Sequence, residues 1–201
     1  NGLGNTVVKA FTNEIYGTAD LSVSASQITY GDALKSSAIT GNTLTIDGKT
    51  VTGSYEWANK DLIPNAGTSE YIAVFTPNDD SISAVKVGIS VEVKKRALIY
   101  KINNAARREG EKNPAFTCEL ISGEVVSGDD IGIVVSCRAN EQTVLGSYNI
   151  TGYASGNSAG NYDVTIQSGV LTITKGHIKV TSVKLSLKSK TLTAGKKVTL
   201  K

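Results

Sequence analysis

The sequence predicts a mainly β chain, organised as tandem small β-rich domains in an elongated arrangement. Three observations carry this expectation. Apolar and polar residues alternate with period two over several stretches, helical periodicity is nearly absent, and turn-forming clusters separate the alternating runs. Gly, Thr and Ser are plentiful and Leu is sparse, a composition suited to short strands.

Taken in order, Leu21, Val23 and Ala25 alternate with Ser22, Ser24 and Ser26. Ile72 to Thr76 is apolar on both faces. Val85, Val87, Ile89, Val91 and Val93 alternate with Lys86, Gly88, Ser90, Glu92 and Lys94, which places five β-branched side chains on one face of a strand. Turns are expected at Asp47-Gly48, Asn65 to Gly67, Pro77 to Asp80 and Ser127 to Asp129. Gly31 and Gly110 fall where the chain must turn tightly, and glycine takes positive φ without steric cost. Only Asn103 to Gly110, with its Ala-Ala-Arg-Arg-Glu core, reads as a helical turn, and it is too short to persist alone.

The pattern restarts twice. A strand closes at Val93 and Lys94-Lys95-Arg96 follows; a second comparable strand closes at Val170 to Lys175. The organisation read from this is an N-terminal segment over 1–17, a β-rich domain over 18–95, a second over 96–175, and a truncated start of a third over 176–201. Val7 and Val8 belong either to the first domain or to a unit before it. Linkers this short are not flexible tethers, so adjacent units are expected to keep a restricted mutual angle.

Charge follows the same divisions. Residues 18–95 carry a net −3, residues 96–175 a net −1, and residues 176–201 hold seven lysines and no acid. The basic tail lacks arginine and aromatic residues, so it reads as a solvated strand face and no nucleic-acid partner is expected. The longest apolar runs, such as Ile131 to Val135, are of strand length, far short of the ~20 residues that span a bilayer. One histidine and two cysteines leave no basis for a zinc site, and no cofactor or metal is expected.

Short motifs then suggest a family. Ile28-Thr29-Tyr30-Gly31, Gly53-Ser54-Tyr55-Glu56-Trp57 and Phe75-Thr76-Pro77-Asn78-Asp79 resemble, in this order, a repeat of secreted and wall-attached bacterial proteins. Arg108 to Pro114, Gly146 to Ile150, Gly160-Asn161-Tyr162 and Gly169 to Lys175 resemble the MBG (YGX-type) surface domain, with Glu109 standing before Gly110 where that family usually has an aromatic residue. Val183 to Leu187 and Thr191 to Leu200 resemble the opening of a bacterial Ig-like group 2 domain.

The resemblance implies an extracellular or cell-surface bacterial protein of several modules, each an Ig-like β-sandwich or a β-grasp-like fold, with no active site to carry over. The expected role is a non-catalytic, adhesion-associated spacer or stalk, monomeric, with host or cell-wall glycans or proteins as partners. A second reading, from a different class, is a carbohydrate- or mucin-binding module, accessory to a secreted glycoside-acting enzyme.

Few residues are candidates for chemistry. Cys118 shares a strand face with Phe116 and Leu120, and Cys137 with Ile133 and Val135, so the two sulfurs either meet in a disulfide or stay as buried thiols. Closing this ~20-residue loop stabilises the fold by about 3 kcal/mol in the chain-entropy model, and secretion permits the oxidation. Tyr55 and Trp57 share a face that either packs in the core or offers a stacking platform for sugar rings. His177 has no nucleophile partner in view. Asp79-Asp80 and Asp129-Asp130 lack the oxygen spacing of a calcium loop and read as turn formers.

Overall fold

The computed structural model describes residues 23–46 and 48–176. The expectations for residues 1–17, Leu21, Asp47, His177 and the basic tail lie outside the described residues.

The chain up to Lys94 forms seven strands: β1 (Ser24–Ala25), β2 (Ile28–Thr29), β3 (Ile39–Thr40), β4 (Thr43–Ile46), β5 (Lys49–Trp57), β6 (Gly67–Pro77) and β7 (Val85–Lys94). Seven more follow: β8 (Arg96–Ile102), β9 (Ala105–Arg108), β10 (Cys118–Ser122), β11 (Gly132–Cys137), β12 (Gly146–Ser155), β13 (Tyr162–Gln167) and β14 (Gly169–Thr174). Two short 3₁₀ turns, Leu34–Ser36 and Ala159–Asn161, are the only helical pieces among the described residues. The protein is therefore mainly β, with several sheets, and nothing described packs across a sheet as the helix of a β-grasp does.

The sheets divide at Lys95. Strands before it make a five-stranded sheet, β2-β7-β6-β5-β4, and the pair β1-β3; strands after it make β10-β8-β13 and β11-β12-β14-β9. The order β2-β7-β6-β5 corresponds strand for strand to β9-β14-β12-β11. The sense corresponds too: β2 runs parallel to β7 as β9 does to β14, and the remaining pairs are antiparallel.

The alternation in β7 drives the first sheet. Val87, Ile89, Val91 and Val93 are buried while Lys86, Ser90, Glu92 and Lys94 face water. β6 pairs with it from Gly67 opposite Val93 to Phe75 opposite Val85. Of the doubly apolar segment, Ala73 and Phe75 point inward and Ile72 is exposed. In the loop between the two strands, Asp79 accepts from the Ser81 amide (2.9 Å) and hydroxyl (2.6 Å). Those bonds hold its carboxyl below the usual carboxylate range, and the aspartate shapes the turn.

One expectation is corrected. Ala105 to Arg108 is a strand, not a helical turn. β14 offers it a parallel ladder from Leu171 opposite Ala105 to Thr174 opposite Arg108, and Asn104 Oδ1 accepts from the Val170 amide (2.9 Å). Four residues of helix-favouring composition cannot outweigh a ladder that also buries a side chain. That side chain is Arg107, which with Ser37 is one of two buried polar residues among the described residues. Its Nε donates to Asn113 Oδ1 (2.7 Å), one Nη to the Arg108 carbonyl (3.0 Å) and the other to the Asn140 carbonyl. Asn113 in turn donates to the Ala139 carbonyl (2.6 Å), so the crossing segment after β9 is tied to the loop after β11.

Two apolar clusters form. Ile102, Ala139, Ile150, Leu171 and Ile173 make one, within the second half. The other holds Phe75, Val91, Trp57, Leu34 and Leu44 of the first half, and it runs on across Lys95 to Leu98 and Tyr162. Phe75 is fully buried at its centre. Phe75→Ala is expected to cost about 3–5 kcal/mol, as for other buried aromatic truncations, and urea unfolding followed by fluorescence of Trp57 would measure it.

Candidate functional site

A cluster of side-chain hydrogen bonds lies where the two halves meet, beside Lys95. It begins with a turn. Tyr30 N–H donates to the Lys94 carbonyl (2.8 Å), Asp32 N–H to the Thr29 carbonyl (2.9 Å), and Thr29 N–H to Asp32 Oδ2 (3.1 Å). Gly31 has φ +97° and closes the turn. A Cβ at Gly31 would come within 2.8 Å of both Arg96 Nη2 and Val126 Cγ2, so the following half presses directly on this residue.

The turn aims the Tyr30 ring across the boundary, where it meets Tyr162 edge-on, with centroids 5.4 Å apart and planes at 82°. Both rings are buried, at 6% and 3% exposure. One carboxylate serves both hydroxyls. Tyr30 Oη donates to Asp129 Oδ1 (3.0 Å) and Tyr162 Oη donates to Asp129 Oδ2. The Val126 amide donates to Tyr162 Oη (2.8 Å), which fixes that hydroxyl's direction.

Two further contacts flank this latch. Arg96 Nε donates to the Tyr30 carbonyl (2.7 Å), while its Nη2 stands 3.9 Å from Asp32 Oδ1 as a loose, half-exposed ion pair of small energetic weight. On the other side the Ala66 amide donates to Asn161 Oδ1 (3.0 Å) and Asn161 Nδ2 donates to Asn65 Oδ1 (3.1 Å). The connection between β7 and β8 is Lys95 alone, and it is braced on both sides.

Chemically this is a lock. Each oxygen of Asp129 is taken by a phenol, and neither phenol faces a reacting group. Among the described residues, no three His, Cys, Asp or Glu side chains come together as a metal site would require.

The residues singled out in the sequence lie elsewhere. Trp57 is in the core, its indole N–H donating to the Ser37 carbonyl (2.8 Å), so it presents no open ring face. Tyr55 is half-buried against Phe75 (4.8 Å between centroids) and donates to the Thr43 carbonyl (2.6 Å). The platform reading of this pair therefore gives way to packing: their shared face points inward. Cys118 and Cys137 stand as free thiols, half-buried. Both pack against the cluster of the second half, Cys118 paired with Ile102 and Cys137 with Ile150, on edge strands of different sheets.

Asp129 is the residue that sequence reasoning missed. It reads as a turn former beside Asp130, and no local pattern marks a partner 99 positions away. Asp130 does hold its loop, accepting from the Asn157 amide (3.1 Å).

Burial, reinforced by the hydrogen bond to Asp129, pushes the Tyr162 phenol up to about 12 and raises Tyr30 above its ordinary value. An unfolded chain releases these protons near pH ~10. The Tyr162 phenol's contribution is thus complete below that pH and is lost as the pH climbs through about 12. Tyrosinate absorbance is expected to show a late-titrating class that loses one member in Tyr162→Phe and another in Tyr30→Phe. A single transition near pH ~10 for all tyrosines would contradict the buried latch.

Comparison with curated proteins and with solved structures gives no match. Residues 98–172, which run from β8 into β14 and include Asp129 and Tyr162, match the family model of the MBG domain (YGX type).

Proposed function

We propose that this chain is a non-catalytic, adhesion-associated spacer or stalk segment of a bacterial secreted or cell-surface protein. In this reading residues 18–95 and 96–175 are tandem modules, and their value is mechanical: they set a distance and hold a direction. The MBG match supports a surface-associated module, and the Tyr30–Asp129–Tyr162 latch is the observation that carries the mechanical reading. A flexible array needs a polar linker, whereas here one residue joins the strands and buried side chains are shared across it.

Amide residual dipolar couplings test this. One alignment tensor is expected to fit residues 24–94 and 96–174 together. Asp129→Ala, which leaves two buried hydroxyls without their acceptor, is expected to split the fit into two tensors of different magnitude while both halves stay folded. Two tensors in the unaltered chain would remove the basis for a rigid spacer.

The glycan-binding reading has less to stand on. Of the seven described tyrosines only Tyr153 is exposed, at 62%, opposite Val134 on the outer face of β11 and β12. An isolated ring is not the aromatic cluster that a sugar-binding cleft requires.

Export also bears on the cysteines. In an oxidising exterior Cys118 and Cys137, packed on one core, pair and tie β10 to β11, with a stabilisation of about 3 kcal/mol. Alkylation of the exported chain without reductant is expected to add no mass, and two alkyl groups after reduction. Two groups without reductant would show that the thiols persist.

A further inference from the structure

The socket that receives the second half is built twice. At the first turn the bonds are Tyr30 N–H to the Lys94 carbonyl (2.8 Å), Asp32 N–H to the Thr29 carbonyl (2.9 Å) and Thr29 N–H to Asp32 Oδ2 (3.1 Å), around Gly31 at φ +97°. At the turn after β9 they recur as Glu109 N–H to the Thr174 carbonyl (2.9 Å), Glu111 N–H to the Arg108 carbonyl (3.2 Å) and Arg108 N–H to Glu111 Oε2 (2.8 Å), around Gly110 at φ +81°. The neighbouring loop recurs as well. Gly67 opens β6 opposite Val93, and Gly146 opens β12 opposite Ile173. One and two residues ahead of these glycines stand Ala66 and Asn65 in the first half, Leu145 and Val144 in the second.

The two sockets differ in what covers them. The first is closed by the chain that follows it: Asn161 bonds Asn65 and Ala66, and Arg96 and Val126 crowd Gly31. At the second, Val144 is 64% and Leu145 46% exposed, and a Cβ at Gly110 would meet no described atom within 4 Å. The Tyr148 hydroxyl bonds the Val144 carbonyl (2.9 Å), holding this apolar step in place with its side chains outward. The outgoing chain stays beside the turn at both ends. Arg96, two residues past Lys94, bonds the Tyr30 carbonyl (2.7 Å); Gly176, two residues past Thr174, passes over the Glu109 carbonyl, where a Cβ would lie 3.7 Å away.

We infer that Val144, Leu145 and the Glu109–Glu111 turn form a docking surface, and that its occupant is the segment 177–201 of this same chain. Gly176, the residue before this segment, lies beside the Glu109 carbonyl of that turn. It contains seven lysines, no acid and no aromatic residue. A ring-on-ring contact like that of Tyr30 and Tyr162 is closed to it, and Glu109, standing at the place of Tyr30, supplies the charge its lysines complement. Ile178, Val180, Val183, Leu185 and Leu187 give it the apolar side chains to cover Val144 and Leu145. The inference rests on the modular reading above.

Carbodiimide cross-linking of the full chain followed by peptide mass spectrometry tests it. The exposed Lys35–Asp61 pair, at 2.8 Å, is the internal control. A link from Glu109 or Glu111 to a lysine within 177–201 is expected, at least tenfold weaker in a chain carrying Val144→Ser and Leu145→Ser, and unchanged in Tyr30→Phe/Tyr162→Phe, which tests the first joint only. A Lys35–Asp61 link without any link from Glu109 or Glu111 to the segment overturns the inference. So does a link that forms only between isotopically distinct copies, which would make a second molecule the occupant.

Discussion

One carboxylate sets the relation between the two halves. Asp129, half-buried, stands between two phenols that come from opposite sides of Lys95, and each of its oxygens has its own donor. The arrangement is intolerant of rearrangement, because any other mutual angle takes a tyrosine hydroxyl of a buried ring away from its acceptor. The apolar contact around it, from Leu98, Val126 and Ile131, supplies burial without direction; the hydrogen bonds supply direction. The placement of the two halves relative to each other thus rests on Tyr30, Asp129 and Tyr162 together with the flanking bonds of Arg96 and Asn161.

Where local pattern and long-range packing agree, the chain is readable. β7 is the best case: from Val87 to Val93 its β-branched face is the buried face. The tight turns at Gly31 and Gly110 and the strand ends at Lys94 and Thr174 follow the same logic, since each is dictated by neighbours in sequence. β9 fails it, because Ala-Ala-Arg-Arg carries a helical preference locally and the ladder that overrides it lies on β14, more than sixty residues on. Asp129 fails it more completely. An aspartate after Ser-Gly is an ordinary turn residue until the fold brings Tyr30 to it, and nothing in periodicity or composition encodes that encounter. Tyr55 and Trp57 show the intermediate case, where a shared face is legible and the side it faces is not.

The corresponding sheet orders of the two halves give this contrast a second meaning. The same turn geometry is held by Tyr30 in one and Glu109 in the other, so the backbone framework and the side chain that projects from it are independent choices. A strand order and a positive-φ glycine preserve the socket, while the residue before the glycine changes from an aromatic to an acidic side chain.

Arg107 has a consequence of a different kind. Its guanidinium is held by carbonyl and amide oxygens, and none of the acceptors it uses is a carboxylate. Acid disarms ion pairs by protonating their anions, and the amide and carbonyl oxygens that hold Arg107 include no anion to protonate. The clasp that joins the segment after β9 to the loop after β11 therefore draws its strength from neutral acceptors alone, and no ionised acid is needed to keep it shut.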